Sequence, residues 1–280
     1  MMRSMALILA CLTASTALAQ QRPLVTEDPE TIGAGRILIE GGLDWADDMR
    51  YPASGLQGNL LRLPTLGLSF GISSIAELQI DGGLYDRLSI TSRNPNAPLA
   101  PLITSTGDTT SDISDAIVAT KIRIVPEGER RPAFGLRFAT KLPNASNESG
   151  LGLDTMDFYA SVLGAKTVQS IRVVANVGGG ILSDPVQGNH QNDVFTYGVS
   201  FARAMTQKAE LVGELNGRVS TRSGEAFPGT ETRGLLRLGG RFTQGSLRLD
   251  AGVFFGLTTV DPTLGFTGGF TYVFNAFKVP

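Results

Sequence analysis

The chain has little of what soluble enzymes and metalloproteins use for chemistry. Its 280 residues include one cysteine, Cys11, one histidine, His190, and one tryptophan, and charged residues make up only 18%. A single cysteine excludes an intramolecular disulfide and a thiolate zinc cluster. The net charge of −2 gives no reason to expect a nucleic-acid partner. After the first twenty residues, no apolar run reaches the ~20 residues that a membrane helix needs.

The N-terminus has the order of a secretory signal peptide. Arg3 gives a positive start, an apolar run follows over Met5–Leu12, and small residues lead to Ala17–Ala19. We expect export, with cleavage after about Ala19. The apolar run is too short for a transmembrane anchor. A lipoprotein acylated at Cys11 is the alternative, although the A-x-A site lies further along the chain.

The rest of the chain is dominated by a period of two. From Leu247 to Leu257, aliphatic and aromatic residues alternate with charged residues and glycines. The same pattern occurs over residues 208–220 and 232–242. One apolar and one polar face indicate a strand that separates two different environments.

Twelve segments of about ten residues carry this alternation, which is the length of a tilted transmembrane strand. They are Gly35–Asp44, Asn59–Ile72, Ile75–Tyr85, Asp115–Val125, Ala133–Leu142, Thr155–Ala165, Ser170–Leu182, Val194–Ala204, Ala209–Val219, Thr232–Phe242, Leu247–Leu257 and Gly265–Phe274. Ten or fourteen strands remain open. Short turns alternate with longer loops such as Trp45–Gly58 and Asp86–Ser114. The sequence therefore predicts an all-β, closed antiparallel transmembrane β-barrel of about 12 strands, with short periplasmic turns and long outer loops.

The predicted organisation is a signal peptide over residues 1–19, a periplasmic N-terminal segment over 20–34 and an outer-membrane barrel over 35–280. Residues 20–33 could hang in the periplasm or plug the bottom of the barrel. The loop Asp86–Ser114 contains an apolar stretch, and we hypothesise that it folds over or into the mouth and narrows the pore.

Near the C-terminus, Phe266, Phe270, Tyr272 and Phe274 fall at alternate positions, as expected for an aromatic girdle at a membrane surface. The segment resembles the aromatic-ended last strand that the barrel-assembly machinery reads, although Asn275–Pro280 follow it here. The expected partners are therefore outer-membrane lipids, the barrel-assembly machinery and a small-molecule solute.

The charged residues of the strands are predicted to face the lumen, because an Arg or Lys on the lipid face costs about 2–4 kcal/mol at mid-bilayer. Glu210 and Glu214 should pair with Arg233 and Arg237 on the neighbouring strand. These ion pairs either fill a narrow barrel or form a charged pore wall that selects solutes. The predicted lumen-lining residues are Arg137, Lys141, Arg172, Glu210, Glu214, Arg218, Arg233, Arg237, Arg241, Arg248 and Asp250.

No catalytic constellation stands out. His190 lies in a predicted loop with Asp184 and Asp193 nearby, and it is the one histidine that a hydrolase centre could use. Asp184, Asn189 and Asp193 could bind a hard cation, but they lack the spacing of a calcium loop. We therefore expect no enzyme activity, no catalytic residues, no cofactor and no metal.

The opening of the mature chain, Arg22–Pro29, reads RPLVTEDP and precedes Gly33–Gly35 and the first strand. This TxDP-like start, together with residues 115–125 and 132–143, resembles a family of bacterial outer-membrane barrels labelled transporters or "MetA-pathway of phenol degradation" proteins. The resemblance implies a barrel and passage of small organic compounds. The predicted function is an outer-membrane channel for passive passage of small polar or aromatic solutes. The alternatives are a structural or adhesive barrel with a blocked lumen, and an outer-membrane hydrolase.

Overall fold

The computed structural model describes residues 22–278. The predicted signal peptide, with Cys11 and the expected cleavage site after about Ala19, lies outside these residues. The strands are β1 (Arg36–Tyr51), β2 (Leu56–Gly71), β3 (Ala76–Gly83), β4 (Asp86–Arg93), β5 (Thr109–Asp112), β6 (Ile117–Val125), β7 (Ala133–Lys141), β8 (Asp157–Val168), β9 (Ile171–Ser183), β10 (Gln191–Ala204), β11 (Ala209–Ser220), β12 (Arg233–Gln244), β13 (Leu247–Gly256) and β14 (Leu264–Asn275). Two short 3₁₀ turns lie at Ala100–Leu102 and Asn147–Ser149. Between residues 22 and 278, no helix has the length and apolar character needed to cross a membrane.

The sheet closes on itself because β1 pairs with both β2 and β14. All neighbouring strands are antiparallel. β3 and β4 pair with successive halves of β2, so they form one interrupted strand of the barrel, and β5 with β6 forms the next. The result is the closed barrel of twelve strands that the sequence predicts. Closure gives each of the twelve barrel strands a partner on both sides, as a membrane requires of a sheet.

The barrel has its apolar face outside. On β11, Leu211, Leu215 and Val219 are exposed, whereas the intervening Val212 and Glu214 are buried. Successive side chains point to opposite faces of a strand, so the period of two places one set toward lipid and the other toward the lumen. Exposed aliphatic residues around a polar interior are the reverse of a soluble protein and are typical of a transmembrane barrel.

Two predicted loops are partly strand. β1 continues to Tyr51, so the prediction of a loop over Trp45–Gly58 is wrong. The turn from β1 to β2 covers only residues 52–55. The pairing of β1 with β2 shifts register between Gly42 and Asp44, and again between Ala46 and Met49. Such β-bulges insert extra residues and break the alternation that sequence analysis depends on.

The predicted Asp86–Ser114 loop also shortens, because β4 and β5 occupy its two ends and leave residues 94–108. These residues lie along one side of the rim. The Leu99 N–H donates to the Ala53 carbonyl at 2.9 Å, and the Thr104 N–H donates to the Glu148 carbonyl at 3.0 Å. The loop therefore joins the β1–β2 turn to the β7–β8 loop.

The two ends of the barrel differ in the lengths of their connections. At one end, called the turn end, lie the connections over residues 72–75, 126–132, 169–170, 205–208 and 245–246. The opposite, loop end carries the connections over residues 94–108, 142–156, 184–190, 221–232 and 257–263, together with the short β1–β2 turn over 52–55. The chain enters β1 and leaves β14 at the turn end, where the Ala276 and Phe277 N–H groups donate to the Gly35 carbonyl.

Candidate functional site

The segment before the first strand lies inside the barrel. We call residues 22–33 the plug. Its contacts reach β2, β3, β6, β7, β9, β11, β12, β13 and β14 in turn, so it crosses the lumen rather than leaving it. Of the two positions left open by the sequence for residues 20–33, the structure places the described part in the lumen.

Acidic side chains of the plug meet basic side chains of the wall. The Glu27 carboxylate lies 3.3 Å from Lys121 Nζ and 3.1 Å from the Arg137 guanidinium. Lys121 is fully buried, and Glu27 is nearly so. Asp28 forms a two-pronged ion pair with Arg172. Charge-assisted hydrogen bonds of this kind are the strongest available to side chains, so the plug is anchored on β6, β7 and β9.

The wall also satisfies the backbone of the plug. The Asn176 side-chain amide accepts from the Glu27 N–H at 2.6 Å and donates to the Glu27 carbonyl at 2.7 Å. The Glu214 carboxylate accepts from the N–H groups of Val25, at 2.9 Å, and of Thr26. Buried backbone groups need partners, and here wall side chains supply what a neighbouring strand supplies elsewhere.

The first described residue of the plug is fixed on the opposite side of the lumen. The Arg22 guanidinium lies 3.5 Å from the Asp250 carboxylate and donates to the hydroxyls of Thr65 and Thr267 at 3.0 and 3.1 Å. Arg241 Nε donates to the Arg22 carbonyl at 2.7 Å. The plug is thus held at both sides of the barrel.

At the turn end the plug combines polar and apolar contacts. Glu30 pairs with Arg123, and the Ile32 N–H donates to the Glu77 carboxylate at 2.8 Å. The Ile32 side chain is buried against Leu38 of β1. This small apolar contact leads directly into the first strand.

Glycines make room for the plug on the inner wall. A Cβ added at Gly198 would lie 2.7 Å from the Thr26 hydroxyl, and one added at Gly42 would lie 2.5 Å from Arg22 Cζ. Neither distance is compatible with van der Waals contact. Part of the abundant glycine therefore serves close approach of the plug backbone.

The eleven side chains predicted to line the lumen have different partners. Five contact the plug, namely Arg137, Arg172, Glu214, Arg241 and Asp250. The other six contact the wall or line the space beyond the plug, namely Lys141, Glu210, Arg218, Arg233, Arg237 and Arg248.

One of the two ion pairs predicted between β11 and β12 is present in the structure. Glu214 faces Arg237 and pairs with it at 3.5 Å. Glu210 faces Arg241 instead of Arg233, because antiparallel register reverses the order of residues along the second strand. The Glu210 carboxylate lies 3.8 Å from the Arg241 guanidinium.

Beyond the plug, toward the loop end, lies a chamber of four adjoining cavities with volumes of about 320, 360, 280 and 330 Å³. We call it the loop-side chamber. Val25, Thr26 and Glu27 of the plug line one of the cavities and form its floor. Another is bounded by Arg218 and Arg233. The chamber is large enough for a small solute, and the plug separates it from the turn end.

A second charge cluster lies in the turns below the plug. The Glu127 carboxylate lies 3.1 Å from Lys166 and 2.8 Å from Arg172, and it accepts from the Thr167 N–H at 2.7 Å. Partial burial opposes ionisation, but these hydrogen bonds outweigh it and lower the pKa of Glu127 to about 2. Arg172 therefore links the turn end to Asp28 of the plug.

His190 lies far from these groups, on a loop-end connection. Its Nδ1 is 3.8 Å from the Asp184 carboxylate, and its ring stacks on Phe227 with centroids 5.8 Å apart. Across residues 22–278 the structure has no group of three or more His, Cys, Asp or Glu side chains placed to hold a metal ion.

No family model matches the sequence, and no curated protein matches it. Among solved structures, the chain is similar to an outer-membrane channel from Pseudomonas putida F1, with a TM-score of 0.64, 14% identity, and coverage of 88% of this chain and 98% of that chain. It has the fold of an outer-membrane β-barrel. The NanC porin is similar over 87% of this chain and 100% of its own, with a TM-score of 0.52 and 8% identity. The resemblance to the MetA-pathway family stays a prediction.

The sequence contains the TxDP-like motif, but its pattern does not predict which wall residues the side chains of the motif contact. The signal was present: Glu27, Asp28 and Glu30 form an acidic cluster directly before a barrel whose predicted lumen is rich in arginine and lysine. Attraction between this acidic cluster and a basic lumen predicts that the segment enters the barrel.

Proposed function

We propose that this protein is an outer-membrane channel for passive passage of small polar or aromatic solutes, closed at rest by its N-terminal plug. The observation that carries the proposal is a chamber toward the loop end whose floor is a chain segment held to the barrel wall by non-covalent contacts, mainly ion pairs and hydrogen bonds. Movement of residues 22–33 would join the chamber to the turn end without any change in the sheet.

The chemistry of the plug supports reversible closure. Its contacts are mostly ion pairs and hydrogen bonds, such as those of Asp28 with Arg172 and of Arg22 with Asp250. Water can replace contacts of this kind at modest net cost, whereas a large apolar interface would resist hydration. The buried apolar side chains of the plug include Leu24 and Ile32, and Ile32 packs in a small cluster with Leu38 of β1 and Val273 of β14. We propose that the plug pivots near Ile32 and that residues Arg22–Asp28 move relative to the barrel wall.

The barrel fold and the similar solved structures, a channel and a porin by name, support placement in the outer membrane and a transport role. In this proposal the exposed apolar belt contacts outer-membrane lipids, and the aromatic β14 is the strand that the assembly machinery reads. The protein is not an enzyme in this proposal, and its partner is a small solute.

The position of the plug in the lumen also favours a second candidate, a structural or adhesive barrel whose functional part is the loop end. The two candidates differ in one property. A gated channel must conduct when the plug is removed, whereas a purely structural barrel has no need of a continuous path.

The test is single-channel conductance in planar bilayers of the refolded, heat-modifiable protein, compared with a variant that lacks residues 22–32. We expect brief, infrequent steps from the full chain and stable, larger steps from the deletion variant. A folded deletion variant that stays silent would contradict the channel and support the structural barrel.

A further inference from the structure

The loop-side chamber has one apolar wall. Met49, Leu60, Leu235 and Phe254 line it together, and they belong to a cluster of buried apolar residues inside the barrel. Such a wall favours a ligand with an apolar part, because contact between two apolar surfaces removes both from water.

The facing wall carries two arginines in an unfavourable position. Arg218 of β11 and Arg233 of β12 are directly opposite in the antiparallel register, and both line the same two cavities. Like charges directly opposite on one face of a sheet repel each other. An anion between them removes that cost.

The hydrogen bonds of these arginines go to backbone carbonyls. Arg218 donates to the carbonyl oxygens of Glu231 and Gly229 at 3.0 and 2.8 Å, which do not neutralise its charge. Arg233 donates to the Val260 and Arg50 carbonyls at 2.9 and 3.2 Å and lies 3.8 Å from Asp261.

Two of the other arginines of this cavity have carboxylate partners: Arg62 lies 3.2 Å from Asp86, and Arg237 lies 3.5 Å from Glu214. Asp44 also lines the cavity, and its Oδ1 has no hydrogen-bond partner among the described residues. Among the arginines of the cavity, Arg218 is the one with no carboxylate within 4.0 Å in the described part of the chain.

We infer that the loop-side chamber binds a monoanionic organic acid with a compact apolar body, such as an arene carboxylate. The carboxylate lies between Arg218 and Arg233, whose planar donors suit two-pronged binding of a carboxylate. The apolar body lies against Met49, Leu235 and Phe254. The inference deepens the proposed function, since it names the class of solute that the channel accepts.

The test is calorimetric titration of benzoate into the full-length refolded protein, which needs no conduction. Benzyl alcohol supplies the same body without the charge, and acetate supplies the charge without the body. The variants are Arg218→Gln and Arg233→Gln. A further variant, Arg218→Lys, keeps the positive charge but loses the two-pronged donor geometry of the guanidinium. Arg130→Gln, an exposed arginine of the β6–β7 turn, is the matched control.

We expect benzoate to bind more tightly than benzyl alcohol, acetate or inorganic phosphate. Arg218→Gln and Arg233→Gln should each weaken benzoate at least tenfold, as loss of a charge-assisted contact does, while Arg130→Gln leaves its affinity unchanged. Absence of benzoate binding, or equal binding by a heat-modifiable Arg218→Gln barrel, would overturn the inference. Equal or tighter binding of phosphate would also overturn it, by assigning the site to small inorganic anions.

The two proposals fail separately. A plug-deleted barrel that conducts but does not bind benzoate refutes the ligand class alone. A barrel that binds benzoate and stays silent after plug deletion refutes the channel and leaves the binding site in place.

Discussion

Neutralising one plug side chain should open the channel. In Glu27→Gln, the plug loses its charge toward Lys121 at 3.3 Å and toward Arg137 at 3.1 Å. Lys121 keeps Glu77 at 2.9 Å, so its buried charge is not left without a partner in the closed state. The barrel itself should therefore stay folded, and the change should act on the plug.

The magnitude follows from the two contacts. A hydrogen bond to a charged group contributes about 1.5–3 kcal/mol, and the neutral amide of Gln retains part of it. We expect the closed state to lose about 2–3 kcal/mol relative to the open state. Since 1.4 kcal/mol is a factor of ten, the ratio of open to closed should rise roughly 30- to 150-fold.

The assay is the open probability of single channels in planar bilayers at fixed voltage and salt. Glu129→Gln removes the same charge from an exposed position in the β6–β7 turn and serves as the control. An open probability of Glu27→Gln equal to that of Glu129→Gln would refute the role of these ion pairs in closure.

Three further predictions concern the wall, the pore and the turns. Gly198→Leu should displace the plug and raise the frequency of conducting steps, because the three atoms nearest to an added Cβ at Gly198 all belong to Thr26. Gly240→Leu, with no plug contact, should not. Arg237→Ser in the plug-deleted barrel should shift ion preference toward cations, since Glu214 loses its partner; an unchanged reversal potential in a salt gradient would remove Arg237 from the conducting path. Glu127→Gln should lower the urea midpoint at pH 7. The pKa of Glu127 is lower in the folded than in the unfolded protein, so its ionised carboxylate stabilises the fold above the unfolded pKa near 4.5. This stabilisation is lost as the pH falls toward 2, and the urea midpoints of wild type and variant should therefore converge over that interval.

The barrel could be predicted from the sequence because the membrane imposes a simple pattern. Eleven of the twelve predicted strands begin and end within three residues of an observed strand. The short strands β4 and β5 fall in a predicted loop, and the one predicted strand that differs by more is the first, which continues to Tyr51. There, bulges and the polar pair Asp47 and Asp48 interrupt the alternation, so local pattern no longer reports on pairing.

The site was less predictable, because it depends on what fills the lumen. The inward direction of Arg137 and Arg172 follows from their positions in the strands. Their partners, Glu27 and Asp28, come from a segment with no periodicity, whose path depends on tertiary contacts alone. The apposition of Arg218 and Arg233 likewise requires the register, which the sequence leaves uncertain by several residues.

The central claim, that the plug closes the lumen and must move for passage, can be tested by a reversible crosslink. A Cβ built at Gly198 lies 3.5 Å from Thr26 Cβ, within the range of a disulfide, and Cys11 is the only cysteine of the chain. The measurement is single-channel conductance of the Thr26→Cys, Gly198→Cys variant before and after addition of dithiothreitol. The account predicts a silent barrel when oxidised and conducting steps after reduction. Equal conductance in both states, with the crosslink verified, would contradict it.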